Sequence, residues 1–377
     1  MSAISAIRYF RRAAPALLAA VVGFGGWQAR ADPLGRFPVD PAEVSVSGIS
    51  SGAFMANQIH IAHSAGIMGV GIVAGGLYGC AVDEVSDTGD GVQALASLAV
   101  GPCMSVPTLL KPVTFYGQLV ADFAARGWID PPGNLAHSRV YMFTGQSDKV
   151  VNSHTVELGA SLYRALGVPE SQVDFRDQDL PGAGAGHSWV TKDFGNRCNA
   201  NTGPYINNCD YDQAGEMLRT IYGPMQAPAT PPTGRIISFD QTEFVPGKAA
   251  AANGMSDTGY LFVPKACEAG AAAPCRLHVV LHGCLQSAEK LGEEFYTKVG
   301  VNEWADTNSI IVLYPQAHAT TVSELPSQNA LSLLDANPQG CWNWWGYAGD
   351  KQFLTKQGVQ ISAIWSMVLR VSGQSNN

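Results

Sequence analysis

The stretch GISSG at residues 48–52 predicts both a fold class and a type of chemistry. It follows an alternating run at 44–47 that predicts a strand, and it precedes an apolar segment with helical spacing at 53–60. Strand, G-x-S-x-G turn and helix in this order form a nucleophile elbow, whose two glycines make room for a strained turn that exposes the serine hydroxyl. We therefore predict Ser50 as the nucleophile. Ser51 lacks the flanking glycines and is the poorer candidate, and a plain Gly/Ser turn is the non-catalytic alternative.

The N-terminal residues 1–31 have the organisation of an export signal. Three arginines occur among the first twelve residues, an Ala-rich apolar run covers 13–26, and the sequence ARA at 29–31 fits an A-x-A cleavage site. The apolar run is too short to span a bilayer. We therefore predict a signal peptide at 1–31, a mature chain that begins at Asp32, and secretion to the extracellular space or to the periplasm.

Eight cysteines in an exported chain predict disulfide bonds. The sequence alone does not fix the pairing, but local spacing favours three bonds and leaves one further pair. The expected bonds are Cys80–Cys103, Cys198–Cys209, Cys267–Cys275 and Cys284–Cys341. Because no C-x-x-C pair occurs, we expect no zinc site.

The net charge limits the partners of the protein. The formal charge is −8, and it becomes −12 once the signal peptide removes four arginines and no acid. Such a chain is repelled by nucleic acid and by anionic lipid, whereas a neutral substrate is unaffected. We predict no nucleic-acid partner, no membrane partner, no metal or organic cofactor, and a monomer.

Strands alternate with helices along the chain. Apolar runs predict strands at 69–74, 139–145, 172–176, 235–240, 259–263, 277–281 and 310–314, and helical spacing predicts helices at 114–126, 156–166, 288–306 and 357–371. This alternation predicts an α/β fold with a mostly parallel sheet and helices on both faces. The Pro-rich stretch 224–234 is the clearest break in composition, and by itself it would indicate a domain boundary.

A serine nucleophile needs a base within hydrogen-bond reach and an acid that orients the base. Asp148 lies three residues after the strand at 139–145, where hydrolases of this layout carry the acid, although an Asx turn is the bland alternative. His187 lies in a glycine-rich loop after the next strand and is the predicted base. Asp177 and Asp179 are the alternative acids, but they fall too close to the base in sequence.

The oxyanion hole requires two backbone donors. One is expected at the N–H of Ser51, and the other on a loop after a different strand. The strand at 277–281 runs into HGC at 282–284, which fits, but this motif follows the triad instead of preceding it. A circular permutation explains the order, because placing the second half of the chain first restores the usual one. On this interpretation residues 32–377 form one domain, and 224–234 is a connection inside it.

Together these motifs resemble the secreted poly(3-hydroxybutyrate) depolymerases, the single-domain, circularly permuted type of α/β-hydrolase. The matching segments are GISSG at 48–52, GQSDKVV at 145–151, GAGHSWV at 184–190, LHGC at 281–284 and GCWNWWGY at 340–347. They follow the family's order across nearly the whole mature chain. The resemblance implies Ser50 as nucleophile, Asp148 and His187 as its partners, the N–H groups of Ser51 and Cys284 as the oxyanion hole, and Trp342 on the substrate side.

The aromatic segment 340–347 supports the last assignment. It contains three tryptophans and a tyrosine, and a fully buried cluster would need an acceptor for each indole N–H. A Cys284–Cys341 bond would also hold Trp342 beside the oxyanion loop. We therefore predict that Trp342 forms a wall of the substrate site and that its aromatic neighbours pack in the core.

The predicted function is that of a secreted serine esterase that cleaves a short-chain polyhydroxyalkanoate through an acyl-enzyme on Ser50. A feruloyl or acetyl carbohydrate esterase, or a hydrolase of another aliphatic polyester, is the alternative among enzymes. An inactive polymer-binding surface protein is the alternative outside them. Labelling of Ser50 by a fluorophosphonate separates this last alternative from the others.

Overall fold

A mixed sheet of eight strands runs through the protein and separates two layers of helices. The computed structural model describes residues 31–85, 91–177, 181–268, 270–320 and 337–375, and Ala31–Asn377 forms one compact unit. Its strands are β1 (Val39–Ile49), β2 (Gly69–Val73), β3 (Val82–Val85), β4 (Val92–Ala94), β5 (Arg139–Phe143), β6 (Val173–Arg176), β7 (Trp189–Thr191), β8 (Asn196–Arg197), β9 (Ile206–Asn208), β10 (Arg235–Asp240), β11 (Thr258–Val263), β12 (Cys275–Leu281) and β13 (Ile310–Tyr314). Its α-helices are α1 (Ser51–Ala62), α2 (Ala96–Val100), α3 (Val113–Ala125), α4 (Ser153–Ala165), α5 (Gln213–Tyr222), α6 (Ala288–Leu291), α7 (Glu294–Lys298), α8 (Val301–Thr307) and α9 (Val359–Val371).

The order of strands across the main sheet is β10-β11-β13-β12-β1-β2-β5-β6. The pairs β10/β11 and β11/β13 are antiparallel, and every other neighbouring pair in this sheet is parallel. The predicted α/β class with a mostly parallel sheet is therefore confirmed.

The two halves of the chain occupy different halves of the sheet. β10 to β13 lie on one side and the strands of the N-terminal half lie on the other, joined by the parallel pairing of β12 with β1. If the chain is read from β10 to β13 and then from β1 to β6, the strands of the main sheet follow one another from one edge to the other. The exception is that β12 and β13 are exchanged. This is the arrangement that a circular permutation predicts.

The pairing of β1 with β12 decides where the site lies. Gly48 stands opposite Leu281 in this pair, so the GISSG turn and the HGC loop leave the same edge of the sheet side by side. β5 runs parallel to β2 and ends at this edge as well. The carboxyl ends of parallel strands are where open α/β sheets bind their ligands.

Side chains of the central strands alternate between two apolar layers. In β13, Ile311 and Leu313 pack in one layer, while Ile310, Val312 and Tyr314 pack in the other. All five are fully buried. Because helices cover both faces, the strand sequence is continuously apolar, as is usual for buried parallel sheets.

The Pro-rich stretch 224–234 packs against α8 and the residue after it. The N–H of Gln226 donates to Asn308 Oδ1 at 2.7 Å, and the N–H of Ala229 donates to the Glu303 carbonyl at 2.8 Å. These hydrogen bonds hold the stretch against the rest of the compact unit Ala31–Asn377.

The segment that follows the predicted cleavage site lies beside the C-terminal helix. The N–H of Phe37 donates to the Val371 carbonyl at 2.8 Å, and the Asp32 carbonyl accepts from the N–H of Asp240 at 2.8 Å. The two ends that a permutation would join are therefore close together in space. The predicted signal peptide, at 1–31, falls almost entirely outside the described residues.

The single helix predicted at 288–306 is wrong. The structure contains three short helices here, α6, α7 and α8, which are separated at Gly292 and Gly300. These glycines have φ values of 61° and 81°, which interrupt a right-handed helix and which other residues rarely adopt. In the part of the chain that the structure describes, no helix is both long and apolar enough to cross a membrane.

The structure contains the three disulfide bonds that the spacing favoured, Cys80–Cys103, Cys198–Cys209 and Cys267–Cys275, and the remaining pair, Cys284–Cys341. The first three join residues 23, 11 and 8 positions apart. The last joins the loop after β12 to the aromatic segment 57 residues further on. Two of the bonds, Cys198–Cys209 and Cys284–Cys341, hold loops that border the candidate site.

Candidate active site

Ser50 stands at a strained turn between β1 and α1. Its φ of 54° and ψ of −122° are unusual for a residue with a side chain. The flanking glycines are required by close contacts, because a Cβ at Gly48 would lie 2.3 Å from the Gly52 carbonyl oxygen, and one at Gly52 would lie 2.3 Å from that of Leu281. The turn is therefore a nucleophile elbow in its backbone geometry as well as in its sequence.

Asp148 and His187 form a buried hydrogen-bonded pair. His187 Nδ1 lies 2.8 Å from Asp148 Oδ2, and their side chains are 5% and 1% exposed. The other carboxylate oxygen, Oδ1, accepts from the N–H groups of Val150 and Val151 at 2.8 and 2.9 Å. A carboxylate held in this way fixes the ring orientation and keeps the proton on Nδ1, which leaves Nε2 as the basic nitrogen.

The loop after β12 carries a backbone N–H, that of Cys284, for which the described residues provide no hydrogen-bond partner. The N–H of Gly283 donates to Gln286 Oε1 at 2.7 Å, and the N–H of Leu285 donates to the Gln339 carbonyl at 2.7 Å. Between them, the N–H of Cys284 makes no hydrogen bond within the described residues, and the N–H of Ser51 makes none either. These two groups are the candidate oxyanion donors.

Two buried side chains shape this loop. His282 donates from Nδ1 to the Gly283 carbonyl at 2.7 Å and accepts at Nε2 from the N–H of Ala317 at 3.0 Å. Burial lowers the pKa of His282 to about 4, so the ring is neutral and structural. Gln286 Nε2 donates to the carbonyls of Pro204 and Tyr205 at 2.9 and 3.0 Å, which binds the loop to the chain segment beside His187.

The prediction that Trp342 forms a substrate wall needs correction. Trp342 is fully buried, and its indole N–H donates to the His282 carbonyl at 2.9 Å. The sequence argument assumed that so many adjacent indoles could not all find acceptors, but this one finds a buried carbonyl. Its neighbour Trp344 stacks on Phe54 with ring centroids 4.0 Å apart. In the structure Trp342 therefore supports the oxyanion loop from behind.

The predicted nucleophile, the predicted base and the loop after β12 line one small cleft of about 80 Å³. The predicted residues that line it are Ser50, His187 and Cys284. The residues that sequence reasoning missed are Met104, Val150, Tyr205, Leu285, Gln286 and Gln339. Most of these are apolar or aromatic, which suits a substrate with little charge. They come from five separate segments, so no local pattern marks them.

The other candidate residues lie elsewhere or have other roles. Asp177 accepts at its backbone carbonyl from Gln146 Nε2 at 3.2 Å, and it is Asp148 that binds His187. Asp179 lies outside the described residues. A side chain that the sequence did not indicate, Asn201, accepts from the N–H of His187 at 2.9 Å.

The permuted sheet, the strained serine turn and the buried acid–base pair define a serine hydrolase of the α/β-hydrolase class. The chain is 37% identical over 370 residues to the poly(3-hydroxybutyrate) depolymerase of Delftia acidovorans, covering 97% of this chain and 67% of that protein. It is 37% identical over 366 residues to the polyhydroxybutyrate depolymerase of Talaromyces funiculosus, covering 94% and 96%. This chain belongs to the poly(3-hydroxybutyrate) depolymerase family.

Solved structures agree with that membership. A PHB depolymerase complexed with an R3HB trimer superposes with a TM-score of 0.74, and the PHB depolymerase from Penicillium funiculosum superposes with a TM-score of 0.73. Each is 34% identical and covers 90% of this chain and 99% of its own. No protein-family model matches the sequence.

Proposed function

We propose that this protein hydrolyses the ester bonds of poly(3-hydroxybutyrate) and releases hydroxybutyrate oligomers and monomers. The observation that carries the proposal is the 2.8 Å hydrogen bond from His187 Nδ1 to Asp148, in a cleft that the base shares with Ser50. The substrate class rests on the relatives, which are named for this polymer, and on the neighbour solved with an R3HB trimer. The same comparisons favour a polyester over a feruloyl or acetyl ester.

In the acylation step, Ser50 Oγ attacks the ester carbonyl carbon while its proton moves to His187 Nε2. The carbonyl oxygen gains negative charge, which the N–H groups of Ser51 and Cys284 stabilise. Asp148 stabilises the imidazolium that forms. The tetrahedral intermediate then expels the alcohol end of one chain fragment, which takes the proton from His187. The other fragment stays esterified to Ser50.

In the deacylation step, His187 removes a proton from water, and the resulting hydroxide attacks the acyl-enzyme carbonyl. Collapse of this second intermediate returns the proton to Ser50 Oγ and releases a carboxylic acid. Removal of one oxyanion donor costs roughly 10²–10³ in kcat in serine hydrolases. The placement of two backbone donors beside Ser50 is therefore a large part of the proposed rate enhancement.

We also propose that the protein acts as a secreted monomer. Four disulfide bonds among the described residues suit an oxidising compartment, and the predicted signal at 1–31 provides the route of export. N-terminal sequencing of protein from the culture medium should begin at Asp32. Sedimentation should give the mass of one chain.

Clearing of a poly(3-hydroxybutyrate) suspension tests the proposed activity. The wild type should clear it and release hydroxybutyrate oligomers, whereas Ser50→Ala should not. A fluorophosphonate should label the wild type at the peptide that contains Ser50, and peptide fragmentation separates this residue from Ser51. Equal clearing by the wild type and Ser50→Ala would contradict the proposal, and release of ferulate or acetate without clearing would favour the carbohydrate esterase.

A further inference from the structure

One side chain outside the triad joins the loops that carry the acid and the base. Asn201 Oδ1 accepts from the backbone N–H groups of His187 and Lys149, each at 2.9 Å. Its Nδ2 donates to the Ser147 carbonyl at 2.9 Å. The backbone on both sides of Asp148 and the backbone of the base are thus bound to the same amide group.

The loop that carries this amide is itself held in place. The Cys198–Cys209 disulfide closes it, and the buried Asn207 donates from Nδ2 to the carbonyls of Cys198 and Ala200, both at 2.8 Å. The loop that carries Asn201 also packs tightly on the loop that carries His187, since a Cβ at Gly186 would lie 2.1 Å from the Ala200 carbonyl oxygen. A closed, internally bonded loop in close contact with its neighbour can act as a rigid anchor.

We propose that Asn201 is a positioning residue of the triad, which sets the separation and orientation of Asp148 and His187. The proposal rests on the catalytic roles given above to these two residues. They are 39 positions apart and lie on loops that follow different strands, so neither loop alone determines their distance. A hydrogen-bond partner shared by both loops determines this distance. Because these hydrogen bonds are already formed before the substrate arrives, no further conformational entropy is lost during the reaction.

The matching pattern of donors and acceptors explains why an asparagine is needed. Two N–H groups require one acceptor oxygen with two lone pairs, and the carbonyl requires a donor on the same short side chain. A primary amide offers both, whereas a carboxylate offers only acceptors and a hydroxyl is too short to reach all three groups. Asn201 therefore satisfies three backbone groups from two loops at once.

Asn201→Ala is the direct test, because it removes the three hydrogen bonds to the loops of Asp148 and His187 and leaves the residues of the cleft unchanged. With soluble p-nitrophenyl butyrate, we expect kcat to fall about 10- to 100-fold, the size of loss that follows a displacement of about 1 Å at a catalytic group. We expect KM to change by less than about twofold, because Asn201 does not line the cleft with Ser50. The rate of phosphonylation of Ser50 by a fluorophosphonate should fall by the same factor as kcat.

Two further variants make the test specific. Asn199→Ala changes an exposed side chain of the same loop and should keep both kcat and KM. Asn201→Asp keeps the two accepted hydrogen bonds but turns an acceptor oxygen towards the Ser147 carbonyl, so its kcat should also fall while its KM stays within about twofold of the wild type. This variant also serves if the alanine variant does not fold.

Three results would overturn the proposal: a kcat of Asn201→Ala within about twofold of the wild type, a fall in kcat fully explained by a smaller folded fraction in circular dichroism, or a kcat of Asn201→Asp within about twofold of the wild type. If instead the proposed function is wrong, the wild type itself shows no ester hydrolysis that depends on Ser50.

Discussion

This protein buries four neutral histidines, and we therefore expect acidification to destabilise it strongly. Burial lowers the pKa of His60, His63 and His278 to about 3 and that of His282 to about 4. In the unfolded chain the pKa of each returns to about 6.5. Between these values the unfolded state binds protons that the folded state does not bind.

The sign of the effect follows from this difference. The contribution to stability is complete above the unfolded pKa and is lost as the pH falls towards the folded pKa. For a folded pKa of about 3, the linkage relation gives a loss of about 2 kcal/mol per histidine between pH 8 and pH 5, and of about 8 kcal/mol for all four. This loss is comparable with the whole free energy of unfolding of an ordinary domain, about 5–15 kcal/mol.

His278 offers the clearest test, because it lies in the centre of the sheet. Its ring nitrogens Nδ1 and Nε2 lie 2.6 and 2.8 Å from the hydroxyl oxygens of Ser45 and Ser47 on the neighbouring strand β1. His278→Gln removes the titrating group and keeps an amide that can bond one of the serines. The variant should be less stable than the wild type at pH 8, but it should lose about 2 kcal/mol less between pH 8 and pH 5.

The assay is urea unfolding followed by circular dichroism at pH 8, 7, 6 and 5. The carboxylates are the same in both proteins, so their contribution cancels in the difference between the two pH profiles. His154→Gln is the matched control, because His154 is half exposed and its ring pairs with Glu157 on the same helix. Parallel profiles for the wild type and His278→Gln would refute the reasoning.

Three further outcomes are expected at the site. Asp148→Asn should lower turnover by orders of magnitude with the fold intact. The double variant with Ser50→Ala should lose little more than either single variant, because a triad acts as a unit. Near-normal turnover of Asp148→Asn would mean that the acid is misassigned. Gly52→Ala should abolish ester hydrolysis, because its Cβ would lie 2.3 Å from the Leu281 carbonyl oxygen, whereas Gly117→Ala, in a helix with nothing within 4 Å, should keep full activity. Trp342→Ala should lower the free energy of unfolding by about 3–5 kcal/mol and should reduce hydrolysis of polymer and of p-nitrophenyl butyrate equally; a larger loss on polymer would restore the substrate wall.

The strained turn at Ser50 and the loop position of Asp148 were predictable because their requirements are local. The GISSG turn needs Gly48 and Gly52 for close contacts with its own backbone and with the neighbouring strand, and those glycines are visible in the sequence. Asp148 is marked by its place after a strand, and its Oδ1 binds N–H groups only two and three residues away. The permuted arrangement of the two halves was predictable as well, because the HGC motif at 282–284 follows the predicted triad residues in the sequence instead of preceding them.

The side chains that connect the loops of the site, Asn201 and Gln286, could not be predicted from the sequence. Asn201 is 54 residues from Ser147, and Gln286 is 82 residues from Pro204. Both bind backbone carbonyls or N–H groups, which every residue possesses, so no side-chain pattern records the partner. The helix predicted at 288–306 was wrong for a different reason: Gly292 and Gly300 are visible in the sequence, but a glycine alone does not reveal that it adopts a positive φ.

Trp342 shows most clearly which properties the sequence determines and which only the tertiary structure determines. The sequence established that aromatic residues cluster at 340–347 and that a disulfide could bring them to the oxyanion loop. Whether the indole faces substrate or the core depended on finding a buried acceptor, and the folded sheet places the His282 carbonyl 2.9 Å from its N–H. Backbone geometry at a turn is determined by neighbours in sequence, whereas burial and hydrogen-bond partners are determined by which strands and loops the fold brings side by side.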